Sequence, residues 1–161
     1  MRNARRMRLA ALVGMVTVAL FVVHATDASA TRHKHKKKPA CTVKGTSSSD
    51  VLIGTEGRDR ICGKGGDDPE HGLGGNDLIL GSKGSDILEG DRGNDRLRGG
   101  AGDDRIDGGL GNDVLKGGPG NDTLDSSDEG KDVVIGGKGQ DRCIVNATDR
   151  VRGCEQKVVV G

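Results

Sequence analysis

Aromatic side chains are almost missing from this chain: it has no Trp, no Tyr and a single Phe, Phe21. Aromatic rings usually supply much of a small core, and beyond residue 21 there are none to use. Proline is scarce too, at three residues, and there is only one long apolar run, residues 9–23. Glycine, in contrast, reaches 29 of 161 residues, and each glycine gives up more backbone freedom on ordering than any other residue. The length favours one domain. A chain so short of large apolar groups cannot rest on hydrophobic burial alone; it needs disulfides, a metal, or both.

The apolar run has the flanks of a leader. Arg2, Arg5, Arg6 and Arg8 precede it, His24 and Asp27 close it, and Ala28-Ser29-Ala30 follows. Basic, apolar and A-x-A segments in that order predict a signal peptide over residues 1–30, cleaved after Ala30. The run is 15 residues long, short of the ~20 that a spanning helix needs, and no membrane span is expected after cleavage. Charge is segregated in the same way. The whole chain is at +1, residues 1–30 carry +3 and residues 31–40 carry +5, which leaves −7 on residues 41–161.

From Gly45 the chain repeats itself every nine residues. The units begin at residues 45, 54, 63, 72, 81, 90, 99, 108 and 117; one extra residue intrudes near Ser126, and two more units begin at 127 and 136. Position six is Asp in all eleven units, position four is Gly in ten, and position eight is aliphatic in nine. Positions one to five suit a tight turn, with glycine tolerating positive φ. Positions six to nine suit a very short strand that turns its eighth residue inward. Leu52, Ile61, Ile79, Leu88, Leu97, Ile106, Leu115, Leu124 and Val134 are then the expected core. No unit buries its own apolar residue, so neighbours must stack.

Stacking at two units per coil sets carboxylates of alternate units about 4.8 Å apart. Bare carboxylates that close repel and resist ionisation. A hard dication between them reverses the sign. Calcium suits such a place because it takes 6–8 oxygen ligands at about 2.4 Å, and glycine turns leave carbonyls free to join the carboxylates.

These units resemble the repeats-in-toxin, or hemolysin-type, calcium-binding nonapeptide GGxGxDxUx. Residues 99–125 match it almost letter for letter, and weaker copies cover about residues 45–144. The resemblance implies an all-β fold, a parallel β-roll (a β-helix solenoid) with two repeats per coil, and calcium held between the loops on each edge. Carried over by position, one column of ligands is Asp68, Asp86, Asp104, Asp122 and Asp141, and the other is Asp59, Asp77, Asp95, Asp113 and Asp132. The turn glycines Gly99, Gly108 and Gly117 join the expected calcium set. Asp50 stands at the head of the first column, but its unit lacks the turn glycines. Two further departures bear on the roll. Pro69 and Glu70 occupy strand and aliphatic positions of the third unit, so that coil is expected to bulge outward, the alternative being Glu70 as an added calcium ligand. The slip at Ser126 weakens the assignment of Asp132 and Asp141.

Four cysteines, Cys41, Cys62, Cys143 and Cys154, admit three pairings. The local pairing, with one bridge at each end of the repeats, is the expectation. Export favours oxidation, solenoids need capped ends, and the layout resembles small exported members of the repeat family. A four-cysteine zinc site lacks C-x₂-C spacing. Asn146-Ala147-Thr148 is a formal glycosylation sequon, read here as part of the closing coil.

Residues 31–40 read as a disordered basic tail. Anionic envelope polymers are its candidate partners. With cleavage after Ala30, the free amine of Thr31, Arg32 and His33 would form an amino-terminal copper or nickel site. The domain plan is thus leader, tail, and a disulfide-capped roll over 41–161. An enzyme is not expected: the chain has no HExxH, no GxSxG and no grouping among its four histidines. In the large relatives such repeats follow a hydrolase or toxin domain, and this chain has none in view. The expected function is a secreted, non-catalytic protein that folds on binding calcium, the alternatives being a calcium-rigidified structural or adhesive protein of the cell envelope and, after it, the repeat remnant of an exported hydrolase or toxin. No nucleic acid partner is expected.

Overall fold

The computed structural model describes residues 40–161. The expected leader, the tail through Pro39 and the Thr31, Arg32 and His33 site lie outside those residues. No helix among the described residues is long and apolar enough to cross a membrane; strands and turns alone build this part of the chain.

Fourteen short strands alternate between two sheets. One sheet holds β1 (Val43–Lys44), β3 (Arg60–Cys62), β5 (Leu78–Lys83), β7 (Arg96–Ala101), β9 (Val114–Pro119), β11 (Val133–Lys138) and β13 (Arg150–Arg152), side by side in that order. The other holds β2 (Leu52–Ile53), β4 (Pro69–His71), β6 (Ile87–Glu89), β8 (Arg105–Asp107), β10 (Thr123–Ser126), β12 (Arg142–Val145) and β14 (Gln156–Val159). Neighbours in a sheet always differ by two in chain order, and every pairing is parallel. The chain therefore winds as a solenoid with two repeats per coil, the all-β parallel roll that the family resemblance implies.

Each eighth residue pairs with the eighth residue one coil on. Ile61, Ile79, Leu97, Leu115, Val134 and Val151 form one ladder. Leu52, Glu70, Leu88, Ile106, Leu124 and Cys143 form the other. The nine expected core residues are all buried and pack with Cys143 and Val145 into one narrow cluster.

The third unit does not bulge. Pro69 opens β4, where its missing N–H costs least, and Glu70 sits in register between Leu52 and Leu88 with no exposed surface. A carboxylate thus fills a rung of the aliphatic ladder. The slip at Ser126 does little harm either. Ser126 lengthens β10 and is buried, its hydroxyl donating to Asp149 Oδ2 at 3.1 Å. The coil offset becomes 19 residues there and the columns continue.

From the third unit to the ninth, position two of the turn adopts positive φ. Glycine fills it at Gly109 (φ 80°), but in the fourth unit the same place is Leu73 (φ 73°), a conformation that costs an L-residue about 1–2 kcal/mol. At position four the demand is stricter. Gly75 has φ 113°, and a Cβ there would lie 2.6 Å from the carbonyl of Gly57. Close coil-on-coil approach, as well as φ, selects glycine at that place.

Disulfides join Cys41 to Cys62 and Cys143 to Cys154. The first ties the segment before β1 to β3, and the second ties β12 to the segment before β14. The bridges stand at the two ends of the solenoid, in the local pairing.

Candidate metal centre

The strand starts carry the sixth-position aspartates, so parallel stacking places them in two columns, one at the edge of each sheet. One oxygen of each carboxylate has a structural task. The backbone N–H of Asp77 donates to Asp95 Oδ1 at 2.7 Å, that of Asp95 to Asp113 Oδ1 at 2.7 Å, and that of Asp113 to Asp132 Oδ1 at 2.7 Å. In the other column Asp68, Asp86, Asp104 and Asp122 donate in the same way to Asp86, Asp104, Asp122 and Asp141, at 2.9–3.0 Å. Each Asp thus staples its coil to the one before.

The second oxygen is the informative one. Oδ2 of Asp68, Asp77, Asp86, Asp95, Asp104, Asp113, Asp122, Asp132 and Asp141 is buried and has no hydrogen-bond partner. Nine orphaned buried carboxylate oxygens in one small domain are far outside the usual few per hundred residues. All but that of Asp132 lie against the bare face of the first glycine of their own unit, and at Gly63, Gly72, Gly81, Gly90, Gly117 and Gly136 a glycine carbonyl of the next coil lies there too. A Cβ on Gly72 would lie 2.6 Å from Asp77 Oδ2 and 2.8 Å from the Gly90 carbonyl. A Cβ on Gly117 would meet Asp122 Oδ2 and, at 2.7 Å, the Gly136 carbonyl. The bare face of Gly99 meets Asp104 Oδ2, while the Gly99 carbonyl lies 2.9 Å from the Cβ place of Gly81, and the Gly108 carbonyl serves Gly90 likewise.

Burial raises the pKa of seven of these carboxyls. It pushes Asp86 and Asp95 up to about 6 and Asp104, Asp113 and Asp132 up to about 7, against the N–H bonds that pull them down. Neighbouring carboxylates add to the rise, Asp122 and Asp86 on Asp104 for example. Asp77 and Asp122 are raised for the same first reason. Without a counter-charge these groups resist ionisation. All the donors are oxygens, carboxylate or carbonyl, so the set fits a hard cation such as calcium and offers no nitrogen or sulfur for a softer metal.

Two of the sixth-position aspartates have hydrogen bonds to Oδ2 that the others lack. Asp50 Oδ2 accepts from the N–H and hydroxyl of Thr46, both at 2.7 Å. Asp59, expected as a ligand, has its Oδ2 met by the N–H and hydroxyl of Thr55 at 2.7 Å and its Oδ1 by the Thr42 hydroxyl at 2.9 Å. The Thr55 hydroxyl holds the Asp59 carboxyl below its ordinary value. Both units have Thr at position two, and that hydroxyl serves the carboxylate internally.

The structure also adds residues. Asp149 Oδ1 accepts the Asp132 N–H at 3.0 Å, and Glu155 Oε2 accepts the Asp141 N–H at 2.8 Å, so these two acids end the columns. Asp149 was legible, because Asp149-Arg150-Val151-Arg152-Gly153 repeats the D-x-U-x-G end of a unit. Glu155 was not, because its offset of 14 belongs to a shortened coil. Asp128 stands beside Asp132 with Oδ1 buried and unpartnered. Glu70 is the largest anomaly: both oxygens are buried without a partner, and burial, with Asp86 and Asp68 adding, pushes its carboxyl up to about 8.

Comparisons with curated proteins and with solved structures find no match. The sequence pattern of the RTX calcium-binding nonapeptide repeat matches four times, over residues 42–68, 71–106, 89–124 and 107–143. Those matches span most of the two sheets and both aspartate columns; the chain belongs to the family of RTX calcium-binding nonapeptide repeat proteins.

Proposed function

We propose that this is an exported, non-catalytic protein whose roll closes when calcium occupies the two aspartate columns. The observation that carries the reading is the set of nine buried Oδ2 atoms without partners. Their desolvation opposes closing of the coils, and calcium, when bound, supplies the positive charge and the 6–8 oxygen places that match them. The columns then stabilise the fold that the thin aliphatic ladder cannot hold alone, so binding and folding are linked. Export is supported by the leader-like residues 1–30 and by the two disulfides. Outside the cell calcium is in the range of extracellular modules, about 10⁻⁴–10⁻³ M, so closing would follow export. Calcium titration of the oxidised protein lacking residues 1–30, read by far-UV circular dichroism, should show a coil-to-β transition that magnesium at the same concentration does not produce. A spectrum indifferent to calcium and to chelator refutes the proposal.

One observation favours the adhesive reading as a second role. The outer face of the β1–β13 sheet carries Lys44, Arg60, Arg96, Arg98, Lys116, Arg150 and Arg152 at positions seven and nine and no acid at either position. The one ion pair among the described residues, His71 with Glu89, is on the other sheet. Calcium in the columns offsets the body's acidity, leaving this face to dominate the field toward anionic envelope polymers, together with residues 31–40. Calcium-loaded protein should bind an anionic polymer such as polyphosphate and release it as salt rises. Arg96→Ser/Arg98→Ser/Lys116→Ser should weaken binding at least tenfold with the calcium transition intact; equal binding by the variant removes this role.

A further inference from the structure

Pro69 and Glu70 are the two residues between the first and second matched repeat copies, and Glu70 is the one ionisable side chain in the two ladders of paired eighth residues described above. An aliphatic residue there would complete the ladder. Instead, Glu70 has no exposed surface, and neither oxygen has a hydrogen-bond partner. Its carboxylate does not point into hydrocarbon. A Cβ on Gly63 would lie 2.7 Å from Glu70 Oε1, 2.5 Å from Asp68 Oδ2 and 2.7 Å from the Gly81 carbonyl. At the other first glycines the nearest atoms include the carboxylate of one Asp, joined at most of them by a carbonyl; only at Gly63 is a second carboxylate among them. The distances keep the Glu70 and Asp68 oxygens within about 5 Å of each other, which one calcium ion with 2.3–2.6 Å bonds can span.

We propose that Glu70 joins Asp68 and the Gly81 carbonyl as a second carboxylate ligand, making this one position of the column an interior calcium site with one more carboxylate than the others. The proposal rests on the calcium reading of the columns and adds a ligand that the repeat pattern does not contain. Two carboxylates and a carbonyl make a site with more negative charge than its neighbours, so it fills first as calcium rises. It lies in the β2–β4–β6 part of the second sheet, close to the Cys41–Cys62 bridge in chain order. Filling it would order that end before the rest of the roll.

The test compares wild type with Glu70→Leu and Glu70→Gln, both as oxidised full-length mature chains. Calcium stoichiometry and stepwise affinity would be read by competition with a chromophoric chelator. Direct excitation of bound europium would count coordinated waters. In both variants the first binding step should weaken at least tenfold. The europium site with the fewest waters should disappear from both. Glu70→Leu should still reach the wild-type spectrum in saturating calcium, because leucine restores the ladder. Unchanged first-step affinity in Glu70→Leu overturns the proposal. Retention of the site in Glu70→Gln but not in Glu70→Leu overturns the requirement for a second carboxylate. A wild-type chain that binds no calcium at all would instead overturn the reading of the columns.

Discussion

The double variant Asp104→Asn/Asp122→Asn should keep the β-roll and lose much of its calcium response. The two oxygens of each carboxylate have separate tasks, and asparagine divides them. Its amide oxygen can still accept the N–H bonds that Asp86 and Asp104 now donate, at 2.9 Å each. Its other terminus carries no charge, so the orphaned Oδ2 atoms vanish together with their share of the calcium ligands. In chelator at neutral pH the variant should hold more strand than wild type, because two buried charges are gone. In calcium its midpoint should lie at least tenfold higher. Asp104→Ala/Asp122→Ala makes the contrast: it also unpairs buried N–H groups, at about 1–3 kcal/mol each, and should be less structured under both conditions. Circular dichroism titrations of the three proteins check this. Equal calcium midpoints for wild type and the asparagine variant would show that these columns do not hold the ion.

Acid should act in opposite directions on the calcium-free and calcium-loaded protein. In the metal-free roll Asp104, Asp113 and Asp132 titrate near 7 and Asp86 and Asp95 near 6, whereas the unfolded chain titrates its aspartates near 3.9. Raised carboxyls make the folded form bind more protons than the unfolded form between those values. Their contribution is therefore complete below about pH 4 and is lost as pH climbs through 6 to 7, on the order of 4 kcal/mol for a single group such as Asp104. In chelator, strand content should rise as pH falls from 8 to 5. In calcium, protons compete for the same oxygens, so the calcium midpoint should rise over the same interval. Denaturant unfolding at pH 5 and pH 8, with and without calcium, measures both arms. A calcium-free form more stable at pH 8 than at pH 5 would contradict the burial of these carboxylates.

The two experiments together separate what holds the coils from what neutralises them. Oδ1 belongs to the fold, Oδ2 to the ion. Residues 31–40 enter neither account, so Lys36→Ala/Lys37→Ala serves as the control that leaves both titrations unchanged.

Phase was the information available in the sequence. A nine-residue period with Asp always sixth and an aliphatic residue eighth marks the core residues and the aspartates that line up, and the family resemblance adds two units per coil. The reason is that a short strand has only two faces, and stacking must align like with like. The disulfide pairing, one bridge near each end, was expected from export, from the need to cap a solenoid and from the family's layout. Tertiary structure decided the exceptions. A pattern assigns Asp59 the same role as Asp77, but only the fold brings the Thr42 and Thr55 hydroxyls to its carboxylate. The period breaks before Glu155, yet a shortened coil still delivers its oxygen to the Asp141 N–H. Proline and a charge argue that residues 69–70 leave the stack, but register with Leu52 and Leu88 keeps them in. A periodic sequence states what each position does on average. Whether a given oxygen is already satisfied depends on neighbours one coil away, and only the folded chain sets those neighbours in place.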